Sequence, residues 1–182
     1  PKDKKKHPVI AKGLPASPGG AVGQVALDAE TAFNWVKEKK KVVLVRTETC
    51  PDDIEGMHCS EGILTSRGGM TSHAAVIARG FGICCIVGCE NLNINLKKRY
   101  FSVGDKKFKE GDYISLDGTT GEVFEGKVSV CDPTLGEDFY TLMKWSDEFR
   151  TLGVRANADR QIDSLQALEF GAEGIGLVRT EH

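Results

Sequence analysis

The 182-residue chain has no surplus of positive charge: 24 Lys and Arg face 26 Asp and Glu, a formal net charge of −2. A nucleic-acid partner would call for a basic excess, and there is none. The only lysine-dense stretches are residues 2–6 and 37–41, which read as a solvated linker and a helix end. No apolar run approaches the ~18 residues of a membrane span, and no signal-peptide pattern opens the chain. The chain begins at Pro1 without an initiator methionine, so it is expected to be an excised piece of a longer polypeptide. Its six cysteines (Cys50, Cys59, Cys84, Cys85, Cys89, Cys131) include no Cys-x-x-Cys pair, and none stands at zinc-site spacing from a histidine. Cys84 and Cys85 lie within the apolar run Ile83-Cys84-Cys85-Ile86-Val87, where cysteine behaves as a small hydrophobe. An intracellular, reduced protein is expected, cytoplasmic or organellar.

What is present is enough apolar residue, 40% of the chain, for one buried core with length to spare. Residues 1–12 are polar and read as an incoming linker. From Gly13 to Leu27 short apolar runs alternate with Gly19, Gly20 and Gly23, as in strands joined by tight turns. Residues 29–40 have helical spacing, and Val42-Val43-Leu44-Val45 a short buried strand. Thr49 followed by Pro51, Asp52 and Asp53 reads as a capped helix start. Gly62-Ile63-Leu64-Thr65 is the next strand, followed by a glycine loop and a helix over residues 72–79 that Gly80 and Gly82 stop. Residues 109–124 read as a β-hairpin. Pro133 marks a boundary, after which residues 134–151 form a helical connector. A βαβ unit closes the chain, with strands at 152–155 and 174–178 and a helix at 163–170. One such unit cannot cover both faces of a parallel sheet, so it reads as the truncated start of another domain.

Of the four histidines, only His73 follows a glycine pair and falls in the first turn of an expected helix. Gly68 and Gly69 let the backbone approach an anion, Thr71 or Ser72 can cap the helix, and Arg67 can contact phosphoryl oxygens. A neutral imidazole at that place offers a nucleophilic lone pair near pH 7. No Gly-Lys-Ser/Thr follows the glycines, which excludes a Walker loop. Residue chemistry alone leaves two readings standing: a phosphoryl-accepting histidine, or a histidine satisfied at a helix start whose glycines serve only a turn.

The run Gly68-Gly69-Met70-Thr71-Ser72-His73-Ala74-Ala75-Val76-Ile77-Ala78-Arg79 closely resembles the phosphohistidine motif of the phosphoenolpyruvate-utilising enzymes. Met70, in place of the arginine usual in the synthase and sugar-phosphotransferase members, points to the dikinase branch. Gly13 to Gly19, Arg46 to Met57 and Gly111 to Gly126 resemble further segments of that branch, and Gly171 to His182 resembles the opening strands of its phosphoenolpyruvate-binding barrel.

The resemblance implies an α+β, swivelling β/β/α phosphohistidine domain at residues 13–132. A helical linker at 133–150 and the start of a (β/α)8 barrel at 151–182 would follow. It implies a phosphotransferase whose full form interconverts ATP, phosphate and pyruvate with AMP, pyrophosphate and phosphoenolpyruvate. His73 would be the covalent carrier, with Arg67, Gly68, Gly69, Thr71 and Ser72 supporting the phosphoryl group. Arg179 would match a substrate-binding arginine of the barrel. Thr71 stands where plant members are regulated by phosphorylation, though a cap is the favoured reading. Magnesium would be bound outside this chain, with no metal site within it. The partners implied are the flanking nucleotide-binding and phosphoenolpyruvate-binding domains of a homodimeric parent; neither nucleic acid nor membrane is expected. The fragment is expected to be inactive alone. Two rivals predict different residues: a sugar-transport phosphocarrier would have arginine at position 70, and a scaffold without chemistry would lack His73 or its glycines.

Overall fold

The structure, a computed structural model, describes residues 7–131, 137–159 and 161–178. The chain divides into two compact units, Pro1–Asp132 and Pro133–His182. It is a mixed α and β protein.

The first unit is organised by four parallel strands. Strand β3 (Gly20–Ala26) pairs with β4 (Val42–Arg46), β4 with β5 (Gly62–Thr65), and β5 with β6 (Cys84–Val87). The crossovers carry helices α1 (Ala29–Lys37), α2 (Ile54–Cys59) and α3 (His73–Phe81), because parallel neighbours need a connection longer than a hairpin. Antiparallel strands extend the sheet on both sides. Strand β2 (Leu14–Ser17) joins β6, while β10 (Tyr113–Asp117), β11 (Glu122–Glu125) and β1 (Val9–Lys12) continue outward from β3. Val9–Lys12 therefore belongs to the sheet, paired with β11, and not to a linker; its short apolar stretch fills an edge that the sequence neighbours cannot. The lysine-rich residues 2–6 lie outside the described residues.

Alternation along the central strands separates two apolar layers. Val42, Leu44, Ile63 and Cys85 face the helices, against Ala32, Met57, Ala74, Ala75 and Ala78. Val43, Val45, Leu64 and Ile86 face the other way, against a small antiparallel sheet of β7 (Leu92–Asn95), β8 (Tyr100–Val103) and β9 (Lys106–Lys109). Phe101 and Phe108 stack there with centroids 5.0 Å apart, and Phe101 is wholly buried. Burial of a side chain that size stabilises by about 1.5–3 kcal/mol. Cys84, Cys85 and Cys89 are buried as small hydrophobes, and burial pushes their thiols up to about 11, 12 and 11.

Local structure departs from the sequence reading at several ends. Pro51–Asp53 forms a 3-10 turn capped at Cys50, not Thr49, before α2 begins. Helix α1 ends at Lys37, short of residue 40. Helix α3 runs through Gly80 to Phe81 and stops at Gly82, whose φ of 69° is left-handed. The small sheet over residues 92–109 has no counterpart in the sequence reading.

The small sheet is tied to α1 by one arginine. Arg99, at a turn with φ of 51°, donates to Asp28 and Glu110 carboxylates and, at 2.8 Å, to the Thr31 hydroxyl. Glu110 in turn accepts from the Leu27 amide at 3.1 Å, and Asp28 caps α1 by accepting from the Thr31 amide at 2.7 Å. Burial alone would raise the Asp28 carboxyl, yet the Thr31 amide and the Arg99 guanidinium outweigh it and hold it below its ordinary value.

In the second unit, α4 (Glu137–Phe149) has no buried residue; its turns expose Tyr140, Leu142, Trp145 and Phe149. Strands β12 (Arg155–Ala156) and β13 (Gly174–Ile175) pair in parallel across α5 (Gln161–Glu169), each strand shorter than the sequence alternation predicts. Residues 132–136, which include the Pro133 boundary, and residues 179–182, which include Arg179, lie outside the described residues.

Replacing Arg99 by Ala should lower the stability of the first unit by about 1–2 kcal/mol, read by urea unfolding, because it strands Glu110. An unchanged midpoint would show the network to be decorative. Because the Asp28 value is depressed on folding, its contribution is full above the unfolded carboxyl pKa of roughly 3.9. It is lost as pH falls through the lower folded value. The stability gap between the unaltered chain and Asp28→Asn should therefore be widest near pH 7 and close on acidification; a gap that widens in acid contradicts this account.

Candidate functional site

The four parallel strands end together, and the loops that leave β4, β5 and β6 meet at their carboxyl edge, the position where open α/β sheets place their ligands. The loop after β4 continues the pairing with β5 for one more step. The Ser66 amide donates to the Arg46 carbonyl at 3.1 Å and the Arg67 amide to the Thr47 carbonyl at 2.8 Å. Beneath it, Arg46 forms an ion pair with the buried Asp53 (3.3 Å) and donates to the Leu27 carbonyl (3.3 Å). Asp53 also accepts from the Cys50 amide at 3.0 Å. These bonds fold residues 46–53 into a compact arch with Thr49 near its crown.

The loop after β5 contains the glycine pair. Gly68 takes φ of 107°, a conformation costly for any other residue, and a Cβ there would meet Ser72 at 3.0 Å. Gly69 has no left-handed φ and open space where a Cβ would stand, so only Gly68 of the pair uses glycine's freedom. Ser72 caps α3, its hydroxyl accepting from the Ala75 amide at 3.4 Å. Thr71, offered by the sequence as a cap beside Ser72, is exposed and makes no hydrogen bond among the described residues. The cap falls to Ser72 because α3 begins one residue later, at His73.

His73 is half-buried, at the start of its helix. Its Nδ1 is hydrogen-bonded to the Thr49 hydroxyl at 3.0 Å, and among the described residues its Nε2 has no partner. Residues 24 apart in sequence thus meet because β4 and β5 are neighbours and both loops leave the same edge. As the first residue of α3, His73 sits among amides that have no intrahelical acceptor, in the positive field of the helix N-terminus.

The structure does not bond Arg67 to His73. Its exposed guanidinium has no partner among the described residues and lines a cleft of about 390 Å³ with Thr47, Ser66, Glu90 and Asn93. Arg79, read only as the end of the motif, proves structural to the loop. It reaches back along α3 to donate to the Met70 carbonyl at 2.8 Å and to the Ala16 carbonyl of β2 at 3.2 Å. Thr49 was missed as a site residue because its surroundings also spell a helix cap; the parallel order of the two strands that precede these loops was the signal that could have found it. Among the described residues no cluster of three His, Cys, Asp or Glu side chains is placed to hold a metal ion, and no helix is long and apolar enough to cross a membrane.

Comparison with known proteins identifies the family. Residues 38–121 match the mobile domain of PEP-utilising enzymes, and residues 134–182 match their PEP-binding domain. A chloroplastic pyruvate, phosphate dikinase from Flaveria trinervia is 54% identical over 177 residues, which cover 97% of this chain and 19% of that protein. The pyruvate, phosphate dikinase of Clostridium symbiosum is 53% identical over 174 residues, 96% of this chain and 20% of that protein. The chain thus spans about a fifth of the length of these relatives. A solved NMR structure of an Enzyme I protein, 27% identical, covers 59% of this chain and 36% of that one at a TM-score of 0.33, too low to speak for a shared fold. With two adjoining domain models matched in order and more than half of its residues identical to the dikinases along nearly its whole length, the chain belongs to the family of PEP-utilising enzymes.

Proposed function

We propose that this chain is the phosphoryl-carrier segment of a pyruvate, phosphate dikinase, and that His73 Nε2 is the atom that carries the group. The observation that carries the reading is the asymmetry of the ring: Nδ1 is held by the Thr49 hydroxyl while Nε2 has no partner among the described residues. With the proton on Nδ1 and donated to Thr49 Oγ1, the lone pair stands on Nε2. That lone pair forms the N–P bond as the P–O bond to the donor's leaving group breaks. The ring keeps its Nδ1 proton and takes up positive charge, which the Thr49 oxygen, as acceptor, stabilises. In the return step an acceptor oxygen attacks phosphorus and the ring departs as neutral imidazole. Neither step needs a proton to move on the ring.

The supporting groups take different parts. Ser72 fixes the start of α3, Gly68 permits the turn into it, and the helix N-terminus favours the anionic phosphoryl group. Arg67, whose guanidinium has no partner among the described residues, is available to the oxygens of the donor or of the phosphoryl group. Thr71, exposed and without a hydrogen bond among the described residues, is open to modification two positions before the carrier. Among the described residues no group of three or more His, Cys, Asp or Glu side chains is placed to hold a magnesium ion.

The division of the chain at Asp132 supports a swivelling domain that ends there. A single histidine that serves two distant reactions has to travel between them. The parallel β12–β13 pair with its helical crossover supports residues 151–182 as the opening of a (β/α)8 barrel. In the whole enzyme the flanking nucleotide and phosphoenolpyruvate domains would be the carrier's partners.

The test is transfer in trans from a pyruvate, phosphate dikinase whose own carrier histidine has been replaced. Label should appear on His73, survive alkali and be lost in acid. His73→Asn should abolish it while changing stability by about 1 kcal/mol or less. Label on Thr71 or Ser72 in its place would refute the mechanism.

Thr49→Val keeps the shape of the side chain and removes the acceptor. The 15N spectrum of the His73 ring should pass from one tautomer to a mixture, and the labelling rate should fall roughly 10–100-fold. A single unchanged tautomer would remove Thr49 from the mechanism.

A further inference from the structure

Gly88 follows β6 directly and stands beside the glycine loop without belonging to it. Its φ is 64°, and a Cβ built there would lie 2.7 Å from the Gly68 carbonyl oxygen, closer than real Cβ atoms come to anything. The nearest side-chain atom, Leu14 Cδ1, is 3.6 Å away, so the backbone of the loop is the tight contact. The turn is fixed on its own side, since the Cys89 amide donates to the Thr65 carbonyl at 2.9 Å.

The loop has little freedom to retreat. Just ahead of Gly68, the Thr65 hydroxyl donates to the Arg67 carbonyl at 2.7 Å and the Arg67 amide is held by Thr47. Just after it, the Ser72 amide donates to the Gly69 carbonyl at 3.0 Å, and the site a Gly68 Cβ would fill is already in contact with Ser72. Pressure on the Gly68 carbonyl therefore passes to Ser72, the cap, and from it to His73, the next residue. We propose that Gly88 is a positioning residue for phosphoryl transfer: its missing side chain seats the Gly68 carbonyl and so sets the height at which the loop presents His73 to Thr49. The proposal rests on the reading of His73 as the carrier.

Gly104 supplies a matched control. It lies in the turn between β8 and β9 with φ of 55°, and a Cβ there meets nothing within 4 Å. Gly104→Ala and Gly88→Ala thus bear similar left-handed strain, and only the second adds a contact with the loop. Gly88→Asn and Gly104→Asn repeat the comparison with a residue that tolerates positive φ better.

In the full chain, both alanine variants should melt lower, Gly88→Ala further than Gly104→Ala by the cost of its contact with the loop. The Gly104 variants should be labelled in trans at the rate of the unaltered chain and keep its single His73 ring tautomer. The Gly88 variants should lose roughly 10–100-fold in labelling rate, as expected for a displaced reacting group, and show a mixed tautomer. Gly88 variants that match their Gly104 counterparts in both readouts would overturn the proposal. So would unfolding of both Gly88 variants while the Gly104 variants fold, since Gly88 would then serve the fold alone. If the unaltered chain itself takes no label on His73, the carrier reading fails, and the ring tautomer still decides the role of Gly88.

Discussion

An arginine and an aspartate meet under the arch that leaves β4, and the placement of the histidine's partner depends on them. Arg46 and Asp53 are largely withdrawn from water, so their attraction must offset the desolvation of two charges. It does so with help: Asp53 also accepts from the Cys50 amide and Arg46 also donates to the Leu27 carbonyl. The Arg46 Nε is buried without a partner among the described residues, a residual penalty that the arrangement tolerates. Removal of either charge would leave the other stranded, at about 3–5 kcal/mol in a fully buried pair and less here, where Arg46 keeps some contact with solvent. The return is geometric. The pair closes residues 46–53 on themselves and leaves Thr49 facing the start of α3.

The two layers of the first unit divide their work. The helical layer sets distance: Ala74, Ala75 and Ala78 on the inner face of α3 let that helix lie close on the sheet, so its first residue comes level with the β4 loop. The small sheet on the opposite face is fastened to the cap of α1 by Arg99. Fixed α1 and fixed β4 leave the loop between β4 and α2 as the adjustable part, and Asp53 adjusts it.

Much of this could be read from the chain. Short apolar runs located β3, β4, β5 and β6, helical spacing located α1, the glycines on either side located α3, and the residues flanking His73 singled it out from the other three histidines. Two of the failures share one physical cause, a pairing distant in sequence. Val9–Lys12 looked like linker because its partner, β11, lies more than a hundred residues away. Residues 92–109 gave no clear pattern, since their strands are short and the arginine that secures them adopts a backbone conformation unusual outside glycine. Thr49 was read by its neighbours Pro51 and Asp53 as a cap, whereas its hydroxyl answers to a ring 24 residues on. Local chemistry predicted the elements; adjacency of parallel strands decided which side chains meet.

The burial of the cysteines has a use in spectroscopy. Cys84, Cys85 and Cys89 are sealed in the core with thiols pushed well above neutral pH, so a maleimide dye or nitroxide passes them by at pH 7. Cys59 is only partly covered, and burial raises its thiol too. Cys50 and Cys131 are exposed. The first belongs to the arch at the carboxyl edge of the sheet, next to the hydroxyl that holds the histidine. The second lines a cleft at the amino edge, with Gly20, Lys41 and Glu61. The native sequence thus offers two probe positions at opposite ends of the same parallel strands, with no cysteine to be introduced.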